Sequence, residues 1–119
     1  MTTDRIWSYA PDSGYVEGQD VTDFTVAASD GTIGHVDRQA APDGMGHLVV
    51  DTGVWIFGRS VLVPVGVVTR VDTEGRRITL ACTGSEVKAA PRFRTDSETR
   101  DHEYLTAVGA YYLRLTATA

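Results

Sequence analysis

Asp51, Thr52 and Gly53 stand in succession behind the apolar residues Leu48, Val49 and Val50. An aspartate presented in this way can supply half of a catalytic carboxylate pair. Two carboxylates brought together at the meeting of two chains cannot both ionise, so one serves as acid and the other as base. The same letters also make a turn. An Asp side chain accepts from nearby backbone N–H groups, and Gly takes the positive φ that closes the loop.

A second requirement separates the two. A homodimeric aspartic protease of the retroviral kind braces its catalytic loop with an apolar-Gly-Arg or apolar-Gly-Asn segment from far along the chain. Here Ile56-Phe57-Gly58-Arg59 follows Gly53 after only two residues, and Val54 stands where Ala or Ser is usual. Asp51 and Gly53 are therefore expected to be structural turn residues, with the protease acting through Asp51 as the alternative.

Other reactive side chains are sparse. His35, His47 and His102 show neither HxH nor HExxH spacing. His35 and His47 could face one another across paired strands and make a weak metal site, so a small-ligand or metal-binding barrel is a further alternative. Surface imidazoles are the expectation, and neither metal nor cofactor is assigned. The single cysteine, Cys82, lies in the apolar stretch RITLAC and rules out an internal disulfide or a CxxC motif. It is expected to be a small buried hydrophobe, since a reactive thiol needs an electropositive, exposed setting. No GxSxG elbow is present, and the glycines fall in hairpins rather than in a phosphate loop.

The elements that must hold these residues read mostly as strands. Phe24, Val26 and Ala28 alternate in DFTVAA, and Ser29-Asp30-Gly31 is a hairpin signal. TIGHVDR follows as the partner strand. Its apolar Ile33 and Val36 are out of phase, and Gly34 between them predicts a bulge that restores the register. HLVVD, RSVLVP, VVTRVD and RITLAC are further strands, with loops at APDGMG and at the tight turn TEGR, which holds Gly75. Pro64 cannot donate to a ladder and belongs at a strand end or edge. Short strands with turns every eight to twelve residues predict a small β-barrel or sandwich. After them SEVKAAP reads as a short helical turn with Ser85 as N-cap and Pro91 as stop. Tyr104, Leu105, Val108, Tyr111, Tyr112 and Leu115 then recur at helical spacing, with Asp101 or Ser97 as candidate cap.

The totals exclude several classes. The 119 residues predict one domain, and 42% hydrophobic with 23% charged residues fits a globular chain. Net charge is −5 and the eleven Lys and Arg are scattered, which argues against nucleic acid. MTTDRIWSYAPDSG has no apolar core of a secretory signal, and the longest apolar run, Val61 to Val68, is far short of the roughly 20 residues of a spanning helix. No membrane insertion and a cytoplasmic location are expected.

Taken in order, Asp30-Gly31, Ile33-Gly34, Val36-Asp37, Val49-Val50-Asp51, Gly58-Arg59, Pro64 and Val71-Asp72 resemble the PRC-barrel family, named for the cytoplasmic domain of the photosynthetic reaction-centre H subunit. The resemblance covers about residues 20 to 91, and the tail through Tyr111-Tyr112 is similar to that of stand-alone bacterial members. It implies a small, strongly bent antiparallel β-barrel of about six strands with no catalytic residues to carry over. Family members are docking modules, on a membrane electron-transfer complex in one branch and on a ribosomal protein in another. Neither the transmembrane helix of the first nor the preceding barrel domain of the second is expected for this chain, so the resemblance implies neither process.

The expected organisation is an extended N-terminal arm over 1–20, a PRC-like barrel over 21–91, and a polar linker with a C-terminal amphipathic helix over 92–119. Trp7, Tyr9 and Tyr15 either pin the arm to the domain or ride on a mobile terminus. The expected function is a non-enzymatic protein-interaction or adaptor module for an unidentified protein partner. A homodimer is expected through the helix stripe Tyr104, Leu105, Val108, Tyr111, Tyr112 and Leu115, because tyrosine suits interfaces.

Overall fold

Alternating apolar residues in the first strand and the Ser29-Asp30 pair behind it set a hairpin from which the sheet grows. The chain, seen in a computed structural model, is described over residues 2–53, 60–93 and 95–117. Six strands form: β1 Thr25–Ala28, β2 Gly31–Ala40, β3 His47–Asp51, β4 Ser60–Pro64, β5 Val68–Asp72 and β6 Arg77–Leu80. They lie in one sheet in the order β4-β3-β2-β1-β6-β5. The chain is mostly β, as expected, but the sheet is mixed, because β1 and β6 run parallel. It is also not closed. β4 ends at Pro64, which has no N–H to donate, and a 3-10 turn over Val65–Val67 redirects the chain so that β5 pairs with β6 instead. Pro64 thus ends an outer strand, where its chemistry put it.

β2 is bent by two irregularities in register. Val26 faces Gly34 while Ala27 faces Thr32, which leaves Ile33 as the extra residue. Val36 faces Val50 while Arg38 faces Val49, which leaves Asp37 extra. An added residue kinks the strand and resets which side chains turn inward. Ile33 and Val36 are therefore both buried despite their odd spacing. Gly34 permits the bend, since a Cβ there would collide with the Asp51 carbonyl.

β3 and β4 are buried on both faces: Leu48, Val49, Val50, Val61, Leu62 and Val63 are all core residues. Covered strands carry continuous apolar runs instead of alternation. The run Val61 to Val68 is accordingly interior apart from Gly66, at about 1.5–3 kcal/mol for each buried Val or Leu. Among the described residues, no helix is long and apolar enough to cross a membrane.

Two helices follow the sheet. α1, Gly84–Ala89, is capped by Thr83 and not by Ser85. Glu86 lies three residues after Thr83, and its carboxylate accepts from the Thr83 N–H at 2.8 Å while the Thr83 hydroxyl accepts from the Glu86 N–H at 3.2 Å. The residue three after Ser85 is Lys88, which has no acceptor. Asp30 adds to this start by accepting from the Gly84 N–H at 2.9 Å. α2, His102–Ala117, takes Asp101 as its cap, with the carboxylate accepting from the Glu103 N–H at 3.0 Å. Ser97 lies inside a 3-10 turn, Asp96–Arg100. α2 packs against β4 and against the N-terminal segment.

The N-terminal arm is not extended at its start. Thr2–Trp7 is a 3-10 helix whose Ile6 and Trp7 belong to the core. Trp7 lies on α2 at Gly109, where a Cβ would come within 2.8 Å of the indole ring. Further on, the Ser13 carbonyl accepts from the Val71 N–H at 2.7 Å, which covers part of the outer edge of β5. Gln39 ties the arm down, its Oε1 accepting from the Val21 N–H at 2.7 Å and its Nε2 donating to the Gln19 carbonyl at 3.1 Å. One cluster of buried residues thus draws on all three expected segments.

Candidate functional site

Asp51 ends β3, and its Oδ1 accepts from the Gly53 N–H at 2.8 Å, with Gly53 at φ 61°. This is the turn expected from its letters. Its Oδ2 lies 3.8 Å from Nε2 of His35, with the two side chains 44% and 51% exposed. A pair so open to water contributes little. Ile56 to Arg59, weighed above as a brace, lie outside the described residues. The other turn residues also hold backbone: Gly75 donates its N–H to Asp72 Oδ1 at 3.1 Å, and Gly31 pairs with Ala28 across the hairpin.

The histidines are not brought together. His35 pairs with Asp51 at one end of the β2–β3 ladder, and His47 pairs with Ala40 at the other. His35 is exposed and His47 is buried, so they do not form the facing pair considered from the sequence. His102 opens α2 and its Nδ1 lies 3.4 Å from the Thr106 hydroxyl. Among the described residues, no group of three His, Cys, Asp or Glu side chains is placed to hold a metal ion. Cys82 is buried, and burial first, then the nearby Glu86 charge, pushes its thiol up to about 12. The thiol stays protonated and behaves as a small hydrophobe.

His47 is the buried histidine among the three. It is only 2% exposed, at the start of β3, and its Nδ1 lies 3.1 Å from the Met45 carbonyl. A carbonyl only accepts, so this contact assigns the ring proton to Nδ1 and leaves Nε2 as an acceptor. Burial holds the imidazole below its ordinary pKa, against the Met45 bond and with help from the Arg38 charge. The ring is therefore neutral near pH 7.

Two cavities share this ring as a wall. The first, of about 570 Å3, runs between the N-terminal arm and the turn before β3 and includes Trp7, Tyr9, Tyr15, Glu17 and His47. Tyr9 and Tyr15 stack with centroids 3.7 Å apart and planes 8° apart. The second, of about 710 Å3, includes Arg38, Arg100, Ser97, Thr99 and His47. Sequence reasoning marked the arm aromatics as possible pins and His47 as a surface imidazole, and it missed the cleft that they frame. The stack joins residues six apart in an irregular loop, a spacing with no periodic signal.

The helix stripe finds its cover within the chain. Leu105, Val108 and Tyr112 are buried in the core, while Tyr104, Tyr111 and Leu115 pack against it. The Tyr104 hydroxyl donates to the Pro91 carbonyl at 3.0 Å, and that of Tyr111 donates to the Glu86 carbonyl at 2.6 Å. Each of these six side chains is thus buried in, or packed against, the chain's own core. No protein-family model matches this sequence, and no curated protein does.

Proposed function

We propose that the chain is a non-catalytic binding module of PRC-barrel-like architecture whose recognition surface is the aromatic cleft beside His47. The observation that carries this is a buried, neutral imidazole, fixed by the Met45 carbonyl, in the wall of a cavity of about 570 Å3. Ligand sites are commonly clefts of about 300–1,000 Å3 with aromatic walls and few, well-placed polar groups. The twice-bulged β2 and the helix lying on outer strand β4 support the barrel-like reading of the bent sheet. Asp51, tied into its own turn, supports binding over hydrolysis.

A fragment screen followed in amide and indole NMR spectra tests the proposal. Hits are expected to shift the Trp7 indole and the residues around His47. Hits that gather only elsewhere would refute it. So would peptide cleavage at mildly acidic pH that Asp51→Asn abolishes with the fold intact.

A further inference from the structure

The two cavities that meet at His47 differ in charge. The larger one is lined by the cationic residues Arg38 and Arg100. The aromatic one is walled by Trp7, Tyr9 and Tyr15, carries the Glu17 carboxylate, and has neither Lys nor Arg among its described lining residues. Ring faces present the negative side of their quadrupole. A carboxylate at the same cleft adds a formal negative charge, and the neutral His47 ring adds no positive one. Within the cleft's own lining, rings and carboxylate thus favour a cation, set against the Arg38 charge that reaches His47 from the neighbouring cavity, and the walls favour one with a large, weakly hydrated surface.

We infer that the cleft between the N-terminal arm and the turn before β3 binds an organic cation of the quaternary ammonium class, held against the Tyr9–Tyr15 stack with Glu17 as counter-charge. This rests on the cleft being the recognition surface and names the chemistry it selects. Quaternary ammonium groups are recognised by aromatic faces because they cannot donate hydrogen bonds and shed water at little cost. The Tyr9 and Tyr15 rings, already stacked on one another, present a preassembled wall and lose little freedom on binding.

Choline is the probe, and 3,3-dimethylbutan-1-ol is its neutral counterpart of nearly the same shape. Titration of the full chain, followed by calorimetry and by the Trp7 indole resonance, should give choline binding at least about ten-fold tighter than the neutral alcohol. Glu17→Gln should weaken choline several-fold and leave the alcohol unchanged. Tyr15→Leu, checked for an intact amide spectrum, should weaken choline by about ten-fold or more. Sedimentation with phosphatidylcholine vesicles distinguishes the sources: free choline alone marks a soluble ligand, and capture on vesicles as well marks a lipid headgroup. Equal binding of choline and alcohol would overturn the cation while leaving the cleft as a binding site. No choline binding at tens of millimolar would overturn it too, whatever other fragments occupy the cleft. Only a screen without any hits in the cleft would remove the reading beneath it.

Discussion

Two aromatic-rich segments lie over the same sheet, and they use their rings differently. In α2, Tyr112 is fully buried, and the hydroxyls of Tyr104 and Tyr111 are bonded to backbone carbonyls at 3.0 and 2.6 Å. In the N-terminal arm, Trp7 anchors the segment in the core while Tyr9 and Tyr15 stack on each other, half-buried, along an open cleft. Residue type alone does not tell an anchor from a recognition surface. What separates them is that Tyr112 is wholly enclosed and the other two helix hydroxyls make short backbone bonds, whereas Tyr15 reaches the Gln19 carbonyl only at 3.5 Å and its ring lines the cleft.

The largest expected effect breaks the helix side of this contrast. Tyr112→Ala empties a wholly buried site and should cost about 3–5 kcal/mol, the range for truncating a core aromatic. Tyr15→Ala removes a half-exposed ring and should cost about 1 kcal/mol or less. Urea unfolding at constant m-value measures both. Similar losses for the two would erase the distinction between anchor and surface.

Next in size is the joint where the two segments meet. Gly109 lets α2 lie against the Trp7 indole, and a Cβ would sit 2.8 Å from the ring. Gly109→Val forces the ring and helix apart and should destabilise by about 1–3 kcal/mol despite the removal of a helix glycine. In a Trp55→Phe background, Trp7 emission should shift to the red as the indole meets water. An unchanged spectrum and unchanged stability would mean that arm and helix are held independently.

How much of this could be read from residues alone varies with range. Gly34 was legible as a bulge because Ile33 and Val36 could not otherwise share a face, and both are buried. Pro64 and Asp101 were legible because each acts through its own backbone neighbourhood. The Thr83 cap was available in the Thr-x-x-Glu spacing but was masked by a nearer serine. The parallel pairing of β1 with β6 left no local mark, since it joins Val26 to Ile78 after four intervening strands. The cleft was least legible of all. His47 heads an apolar strand whose letters do not reveal that the arm and the pre-strand turn close over it.

A smaller effect, set by pH, sharpens the cleft side. His47 has its folded pKa depressed chiefly by burial, so the unfolded chain binds the proton more readily. Stability should therefore be complete above the ordinary histidine range, near 6.5, and fall as pH drops below it towards the folded value. His47→Gln should flatten that slope, whereas on the opposite limb Cys82 acts first and the buried hydroxyls of Tyr9, Tyr104 and Tyr112, also held protonated by burial, join it from about pH 10. The Cys82 thiol, raised from 9.0 to about 12, keeps a proton that the unfolded chain loses, so stability should decline as pH rises across that interval. Thermal melts from pH 5 to pH 11 resolve the two limbs, and an acid slope untouched by His47→Gln would show that the ring is not the buried neutral base described above.

The smallest effect belongs to Asp51, whose turn lies in neither aromatic segment and serves as their control. Its Oδ1 accepts one backbone N–H at 2.8 Å, and its side chain is 44% exposed. A hydrogen bond of this kind contributes about 0.5–1.5 kcal/mol, and water can replace part of it at an open site. Asp51→Ala should therefore cost about 1 kcal/mol or less. Asp51→Asn keeps a carbonyl oxygen where Oδ1 stands and can still accept from Gly53, so its cost should be smaller still. Because the His35 contact is long and solvated, removing the charge should not reverse that order. Paired melts of the two variants decide the point. If Asn proves as damaging as Ala, the charge and not the acceptor holds the turn, and the His35 pairing would have to be given the larger role. A loss of several kcal/mol from either would place Asp51 among the anchors, with Tyr112, rather than at a solvated turn.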